Sequence, residues 1–163
     1  QRRFKNVLKY ARKAQKEAPH SPVPENLAGI ALSAMSRTGE AVNSFKRAIL
    51  LDPSYAEARK NLAQTYLLMG QYENALLALH AVPETPDAVY LKAQGLAALK
   101  RKQEALAAAT QYIAGNQEDK TGYKLRAFIR LQFGLIADAL EDYEKVISID
   151  PHEFAAGAPS EVR

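Results

Sequence analysis

Three histidines and a cluster of carboxylates are the side chains in this sequence with the most obvious capacity for chemistry. His20, His80 and His152 lie far apart along the chain, and the sequence contains no cysteine that could complete a zinc site with any of them. Each histidine lies beside the end of a helix-like segment. We therefore predict that all three are polar loop residues and that the chain has no metal site.

The acidic cluster is the second candidate for chemistry, because paired carboxylates can act as general acid and base. It consists of Asp138, Glu141, Asp142 and Glu144. Its segment also carries alanine, tyrosine and valine at helical spacing, and we expect these apolar residues to face inward. The carboxylates are then expected on a solvated outer face.

The sequence contains no Gly-rich phosphate loop, nucleophile elbow or Ser-His-Asp arrangement. We therefore predict no catalytic residue and no cofactor for this segment.

The first 17 residues hold a strong concentration of positive charge. Of the chain's 22 basic and 18 acidic residues, seven basic residues and Glu17 fall in this segment, which leaves 15 basic and 17 acidic residues elsewhere. The basic side chains that recur at three- and four-residue steps are Arg2, Lys5, Lys9, Arg12 and Lys16. This pattern is typical of a cationic amphipathic helix, which could contact RNA, an anionic membrane or an acidic protein. The slightly acidic remainder argues against a nucleic-acid surface along the whole chain.

The elements that position these residues follow from an internal repeat. Pro19 and Pro53 are 34 residues apart, a period typical of paired-helix repeats. Four segments align on Ala41, Ala75, Ala105 and Ala139, with spacings of 34, 30 and 34 residues.

The short interval predicts a shortened helix. Four residues are about one helical turn, and the stretch "HAVPETPD" at 80–87 places two prolines where the second helix of that unit would otherwise continue. The apolar spacing is helical throughout, and Gly70 and Gly134 are expected to end first helices in a left-handed conformation.

These units resemble tetratricopeptide repeats. That family has a small residue where two helices touch, an alanine early in the second helix, an aromatic four residues later and a closing proline. Unit 22–55 carries this pattern in Gly29, Ala41, Phe45, Ala48 and Pro53. Unit 56–85 carries it in Ala63, Tyr66, Gly70, Tyr72 and Ala75, and unit 120–153 in Tyr123, Ala127, Gly134, Ala139, Tyr143 and Pro151. Unit 86–119 departs from it, with Ala109 at the aromatic position and no closing proline.

The resemblance implies an all-α fold, a right-handed solenoid of stacked antiparallel helix pairs. We expect one domain over 1–163, made of a partial repeat 1–21, repeats 22–55, 56–85, 86–119 and 120–153, and a tail 154–163. A stack that begins and ends within a unit leaves apolar surface uncovered. We therefore expect either a longer parent protein or oligomerisation through the repeat ends.

The resemblance also implies a binding surface, because first helices of successive repeats line a concave groove in this family. Carried over by position, the groove residues are Asn26, Ile30, Lys60, Gln64, Tyr90, Gln94, Lys124 and Phe128. Amides could hold a peptide backbone and lysines a carboxylate. Lys60 is followed by Gln64, Asp87 and Leu91, which departs from the carboxylate-binding set of the chaperone-tail-binding members.

The sequence thus favours a non-catalytic scaffold that binds a protein or peptide, including acidic ones. One alternative is the substrate-recruiting repeat region of a larger enzyme of the glycosyltransferase or sulfotransferase type. The other is RNA or membrane-surface binding through the basic first helix. No apolar run is long enough to cross a bilayer, and the cysteine-free composition is compatible with a cytoplasmic or a periplasmic location.

Overall fold

A computed structural model describes residues 2–153, so Gln1 and the expected tail 154–163 lie outside the described residues. Over that range the only regular secondary structure is helical. The helices are α1 Arg2–Glu17, α2 Pro22–Ala34, α3 Thr38–Leu51, α4 Ala56–Leu68, α5 Tyr72–Leu79, α6 Pro86–Ala98, α7 Lys102–Gly115, α8 Lys120–Gln132 and α9 Ile136–Ile149. The all-α prediction is confirmed. Among these helices none combines the length and the apolar character needed to span a bilayer.

The helices stack as pairs along a curved solenoid. Each helix packs on the next one in the chain, and the first helices α2, α4, α6 and α8 also contact their neighbours in that row. The second helices α3, α5, α7 and α9 make no such contacts with one another within residues 2–153. In a curved stack the helices on the concave side lie closer together than those on the convex side. The first helices therefore form the inner wall and the second helices the outer wall.

The turn inside each of the four pairs, from α2–α3 to α8–α9, closes in the same way. Its central residue has a positive φ of 61° to 72°, and these residues are Ser36, Gly70, Lys100 and Gly134. The following amide donates a hydrogen bond to a carbonyl five residues earlier, as Arg37 does to Leu32 at 2.9 Å. This is the Schellman arrangement, which favours glycine at the left-handed position. The prediction is confirmed at Gly70 and Gly134, and the same turn forms without glycine at Ser36 and Lys100.

The seams between helices are built from small side chains. Alanines with no exposed surface recur in every pair, and they include Ala31, Ala41, Ala63, Ala75, Ala93, Ala105, Ala127 and Ala139. A methyl side chain lets two helix backbones approach at the short end of the usual 8–10 Å separation. The alanines that recur in the sequence are therefore the residues at which neighbouring helices contact each other.

Gly29 shows how tight the first of these seams is. A Cβ added at Gly29 would lie 2.5–2.8 Å from three ring carbons of Phe45. Phe45 is only 1% exposed, so its ring has no solvent-facing direction in which to move. The glycine is required because the Phe45 ring occupies the space that a side chain would take.

The shortened helix lies where the sequence predicts it. Helix α5 ends at Leu79 after 8 residues, whereas α3, α7 and α9 each have 14. The 80–85 connection replaces the missing helix and is tied down by Glu84, which accepts hydrogen bonds from Gln111 Nε2 at 2.7 Å and Lys92 Nζ at 3.4 Å. These hydrogen bonds lower the pKa of the Glu84 carboxyl below its usual value, and the bond from Gln111 has a larger effect than the one from Lys92.

One member of the acidic cluster is not on the outer face, so that expectation is wrong for Asp142. Its side chain is 2% exposed and lies 2.7 Å from a nitrogen of Arg126 and 2.7 Å from a nitrogen of Arg130. Arg126 also contacts Thr110 on α7, so the ion cluster joins α7, α8 and α9. Asp142 is inward because two cations from α8 neutralise it, which its own helix pattern does not reveal.

We expect Gly29→Ala to lower the free energy of unfolding by about 1–3 kcal/mol, because the new methyl group overlaps the buried Phe45 ring. The matched control is Gly39→Ala on α3, where an added Cβ meets no atom within 4 Å. That change should leave stability unchanged or raise it by up to about 1 kcal/mol through helix propensity. Urea titrations followed by circular dichroism measure both, and equal stability of the two variants would contradict the tight seam.

We expect Asp142→Asn to lower the free energy of unfolding by about 3 kcal/mol, because two largely buried guanidinium groups lose their counter-charge. Glu141→Gln is the matched control, since this neighbouring side chain is exposed. The control should stay within about 0.5 kcal/mol of the parent. Thermal and urea unfolding of both variants test this, and a parent-like Asp142→Asn protein would show that the ion cluster does not hold α8 to α9.

Candidate functional site

A large depression lies on the inner wall of the solenoid. It has a volume of about 760 Å³ and is lined mainly by α4, α6 and α8. A second depression of about 290 Å³ shares Tyr90, Gln94 and Phe128 with it and adds Lys120 and Lys124. The two together are called the groove below.

Helical spacing brings the groove side chains onto one face of each first helix. Lys60 and Gln64 on α4, Tyr90 and Gln94 on α6, and Lys124 and Phe128 on α8 are each four residues apart. Residues at that spacing lie one above the other along a helix. All six of these predicted residues line the groove.

Lys60 lines the groove but is largely covered by its ion-pair partners. Its side chain is 14% exposed, and Nζ lies 2.7 Å from Glu57 and 3.4 Å from Asp87. The hydrogen bond to Glu57 is the main cause that raises the pKa of Lys60 above its ordinary value. Asp87 comes from α6, so Lys60 links two repeats as well as lining the groove.

The lysines at the other end of the groove are also paired. Lys120 Nζ lies 2.6 Å from Asp150 and 2.5 Å from Glu153, and Lys124 pairs with the same Glu153. The hydrogen bonds that Lys120 donates to Asp150 and then to Glu153 raise the pKa of Lys120. Lys124 remains 45% exposed.

Tyr112 is a groove residue that the family pattern does not include, because it comes from a second helix, α7. Its ring packs edge-on against Tyr90 with centroids 5.9 Å apart, and its hydroxyl donates to Asp119 Oδ2 at 2.8 Å. Burial, followed by the hydrogen bond to Asp119, raises the pKa of Tyr112 to about 12. The sequence contains one signal for this residue. Ala109 occupies the position where the family pattern has an aromatic residue, and Tyr112 follows it by three residues.

Two predicted groove residues lie elsewhere. Asn26 is 6% exposed, and its amide donates to the Tyr55 hydroxyl at 3.4 Å and accepts from Asn61 Nδ2 at 3.0 Å. It acts as a link between repeats, and Asn61 is the member of the pair that reaches the groove. Ile30 is 41% exposed on α2 but is not among the residues that line the groove.

The five predicted basic-surface residues lie together on the exposed side of α1. They are Arg2, Lys5, Lys9, Arg12 and Lys16, and all are exposed. Leu8 and Ala11 of the same helix are buried. Helix α1 is therefore amphipathic, as the sequence predicts.

The groove offers amides, tyrosine rings and hydrocarbon surface. Among residues 2–153 no group of histidine and carboxylate side chains is arranged to hold a metal ion. The groove's lysines and carboxylates neutralise one another, so its chemistry is that of hydrogen bonding and apolar contact.

Comparison with known proteins identifies related chains. A family model described as "Tetratricopeptide repeat" matches residues 32–94. A TPR repeat-containing thioredoxin of Arabidopsis thaliana, TTL4, is 39% identical over 70 residues, which is 43% of this chain and 10% of that protein. The inactive TPR repeat-containing thioredoxin TTL3 of the same plant is 42% identical over 57 residues, 35% of this chain and 8% of that protein. The chain spans a tenth or less of the length of these curated relatives.

Solved structures share the fold over almost the whole chain. MamA from Desulfovibrio magneticus RS-1 superimposes with a TM-score of 0.83, covering 93% of this chain and 88% of that one at 21% identity. A thermophilic TPR protein from Thermus thermophilus does so with a TM-score of 0.76, 94% and 86% coverage and 20% identity. YrrB, a TPR protein, gives 0.73, with 90% and 77% coverage and 23% identity. The tetratricopeptide repeat model matches residues 32–94, and the solved structures show that the described stack of helix pairs has the fold of tetratricopeptide repeat proteins.

Proposed function

We propose that this chain is a non-catalytic scaffold that binds an extended segment of a partner protein in the groove. The observation that carries the proposal is the convergence of side chains from three successive first helices on one depression of about 760 Å³. Neighbouring helices lie about 10 Å apart, and an extended chain rises about 3.3 Å per residue. The groove therefore has room for roughly six residues of an extended peptide.

The polar side chains of the groove suit a peptide backbone. Gln64, Gln94 and Gln132 each carry both a donor and an acceptor, and Asn61 keeps one amide proton beyond its bond to Asn26. A backbone presents donors and acceptors in alternation, which amides can match without a fixed charge. This supports recognition of the main chain of the ligand.

The apolar side chains provide an anchor point. Phe128 is 55% exposed and lines both depressions, beside Tyr90. A large exposed ring in a concave surface is costly in water and gains contact area when a ligand side chain covers it. We infer that an aliphatic or aromatic side chain of the ligand packs there.

The ion pairs favour a neutral ligand over an acidic one. A ligand carboxylate at Lys60 would have to displace Glu57 and Asp87, and one at Lys124 would have to displace Glu153. The lysines already have the partners that an acidic peptide would supply. The proposal therefore refines the expected partner from an acidic segment to a neutral one with one large apolar side chain.

A solved neighbour supports groove binding as a use of this fold. YrrB is described as a TPR protein with an unusual peptide-binding site. Its identity to this chain is 23%, so the likeness concerns the fold. The residues that would choose a ligand are argued from this chain alone.

We expect Phe128→Ala to raise the dissociation constant of a groove-bound peptide about 5- to 50-fold, because the change removes the apolar anchor surface. A peptide is first selected from a random display library against the parent protein, and its affinity is then measured by fluorescence anisotropy. Leu77→Ala is the matched control, because Leu77 is a 72% exposed apolar residue on α5 outside the groove.

The control should bind as the parent does. Peptides that bind Phe128→Ala and parent equally would place binding outside the groove and overturn the proposal. Selection of strongly acidic peptides would contradict the neutral-ligand refinement while leaving groove binding in place.

A further inference from the structure

Helix α1 carries positive charge that the rest of the described chain does not neutralise. Elsewhere most cations pair with carboxylates, as Arg37 does with Glu40 and Arg101 with Glu104. On α1 the only ion pair among residues 2–153 joins Lys13 to Glu17, at 3.7 Å and with both side chains exposed. Arg2, Lys5, Lys9 and Lys16 of the basic stripe therefore form an open cationic surface. Arg12 is the exception, because it lines a depression together with Glu40 of α3.

Helix α9, at the other end, presents the opposite chemistry. Glu141 and Glu144 are exposed, and neither has a cation within ion-pair distance in the described part of the chain. Beside them run three exposed apolar side chains, Ile136, Leu140 and Ile147, which are 62%, 57% and 47% exposed. Because these residues recur at three-, four- and seven-residue steps, α9 has an acidic row and an apolar row next to each other.

Both surfaces lie on the terminal helices of the described solenoid. Helix α1 packs on α2 alone, and α9 packs on α8 alone. On α1 the exposed Lys5 and Lys9 lie to one side of the buried Leu8 and Ala11, and on α9 the two rows face away from the buried Ala139 and Val146. Apart from Arg12, which shares a depression with α3, neither surface lies against another described helix.

We propose that the outer face of α9 docks against the basic face of α1 of a second copy of this chain. The Glu141 and Glu144 row then meets the Lys5 and Lys9 stripe, while Leu140 and its neighbours pack beside it. Phe4 and Tyr10 on α1 are 37% and 69% exposed, so the same helix also offers apolar surface.

A second copy is favoured because it accounts for both surfaces at once. An anionic membrane or an RNA would neutralise α1 but would leave the apolar row of α9 in water. The contact uses two different surfaces, so each copy retains one free α1 and one free α9. Such a heterologous contact adds copies in a row or closes them into a ring.

The test is sedimentation velocity of the full chain over a range of concentrations up to about 200 micromolar, where weak interfaces are populated. We expect association at about 25 mM salt and a dissociation constant at least about tenfold higher at 300 mM, because exposed charges are screened. Lys5→Glu/Lys9→Glu alone and Glu141→Lys/Glu144→Lys alone should each remain monomeric.

Mixing these two variants should restore association. The unchanged basic α1 of the Glu141→Lys/Glu144→Lys variant can then meet the unchanged acidic α9 of the other variant. The acidic α1 of the Lys5→Glu/Lys9→Glu variant can likewise meet the new basic α9 of its partner. Lys46→Glu/Lys102→Glu is the matched control: it changes the net charge by the same amount as the α1 variant at two exposed lysines outside both surfaces, and it should associate as the parent does.

Three results would overturn the proposal. They are a parent protein that stays monomeric at low salt, association that survives both charge reversals, and two variants that remain monomeric when mixed. A monomeric parent that co-sediments with phosphatidylserine vesicles or binds single-stranded RNA would assign α1 to that other partner instead. Peptide binding in the groove is measured separately with Phe128→Ala, so failure of either proposal is distinguishable from failure of the other.

Discussion

The close approach of neighbouring helices is the constraint on which the rest of the structure depends. Solvent-free alanines line the seams, and at Gly29 even a methyl group would overlap the Phe45 ring. The small residues at these contacts fix the distance between neighbouring helices, so each helix pair can pack on the next in the same geometry. Large apolar residues are then left to fill the space around the seams, as Phe45, Ile129 and Val146 do in the two halves of the stack. A solenoid with no long-range strand pairing derives its regularity from this local contact.

The groove is a consequence of that packing. First helices touch one another while second helices do not, so the wall of α2, α4, α6 and α8 is concave. Side chains at four-residue spacing on adjacent first helices then converge without any loop to arrange them. Polar links between repeats, such as Asn26 to Asn61 and Lys60 to Asp87, hold neighbouring first helices in register. A surface built on packed helices in this way is rigid before a ligand arrives, which lowers the entropy cost of binding.

Charge is distributed unevenly along the solenoid. In its middle and second half most cations have carboxylate partners, and the most buried of these form the Arg126–Asp142–Arg130 cluster between α8 and α9. In the proposed function these paired charges favour a neutral ligand in the groove. The basic stripe of α1 and the acidic row of α9 instead lie at opposite ends of the described chain, where they have opposite sign. The stability of the fold, the proposed ligand choice and the proposed association therefore depend on different charges.

The sequence by itself determined the helices, their period and their ends. The alanine spacing of 34, 30 and 34 residues located the pairs, Gly70 and Gly134 located two of the turns, and the prolines after Leu79 located the short helix, because all of these signals act within a few residues. Tertiary structure alone decided which polar side chains are buried. Asp142, Asn26 and Lys60 take partners 12 to 35 residues away. Helical periodicity assigns a residue to a face of its own helix, but the identity of the side chain that meets that face depends on how neighbouring repeats stack.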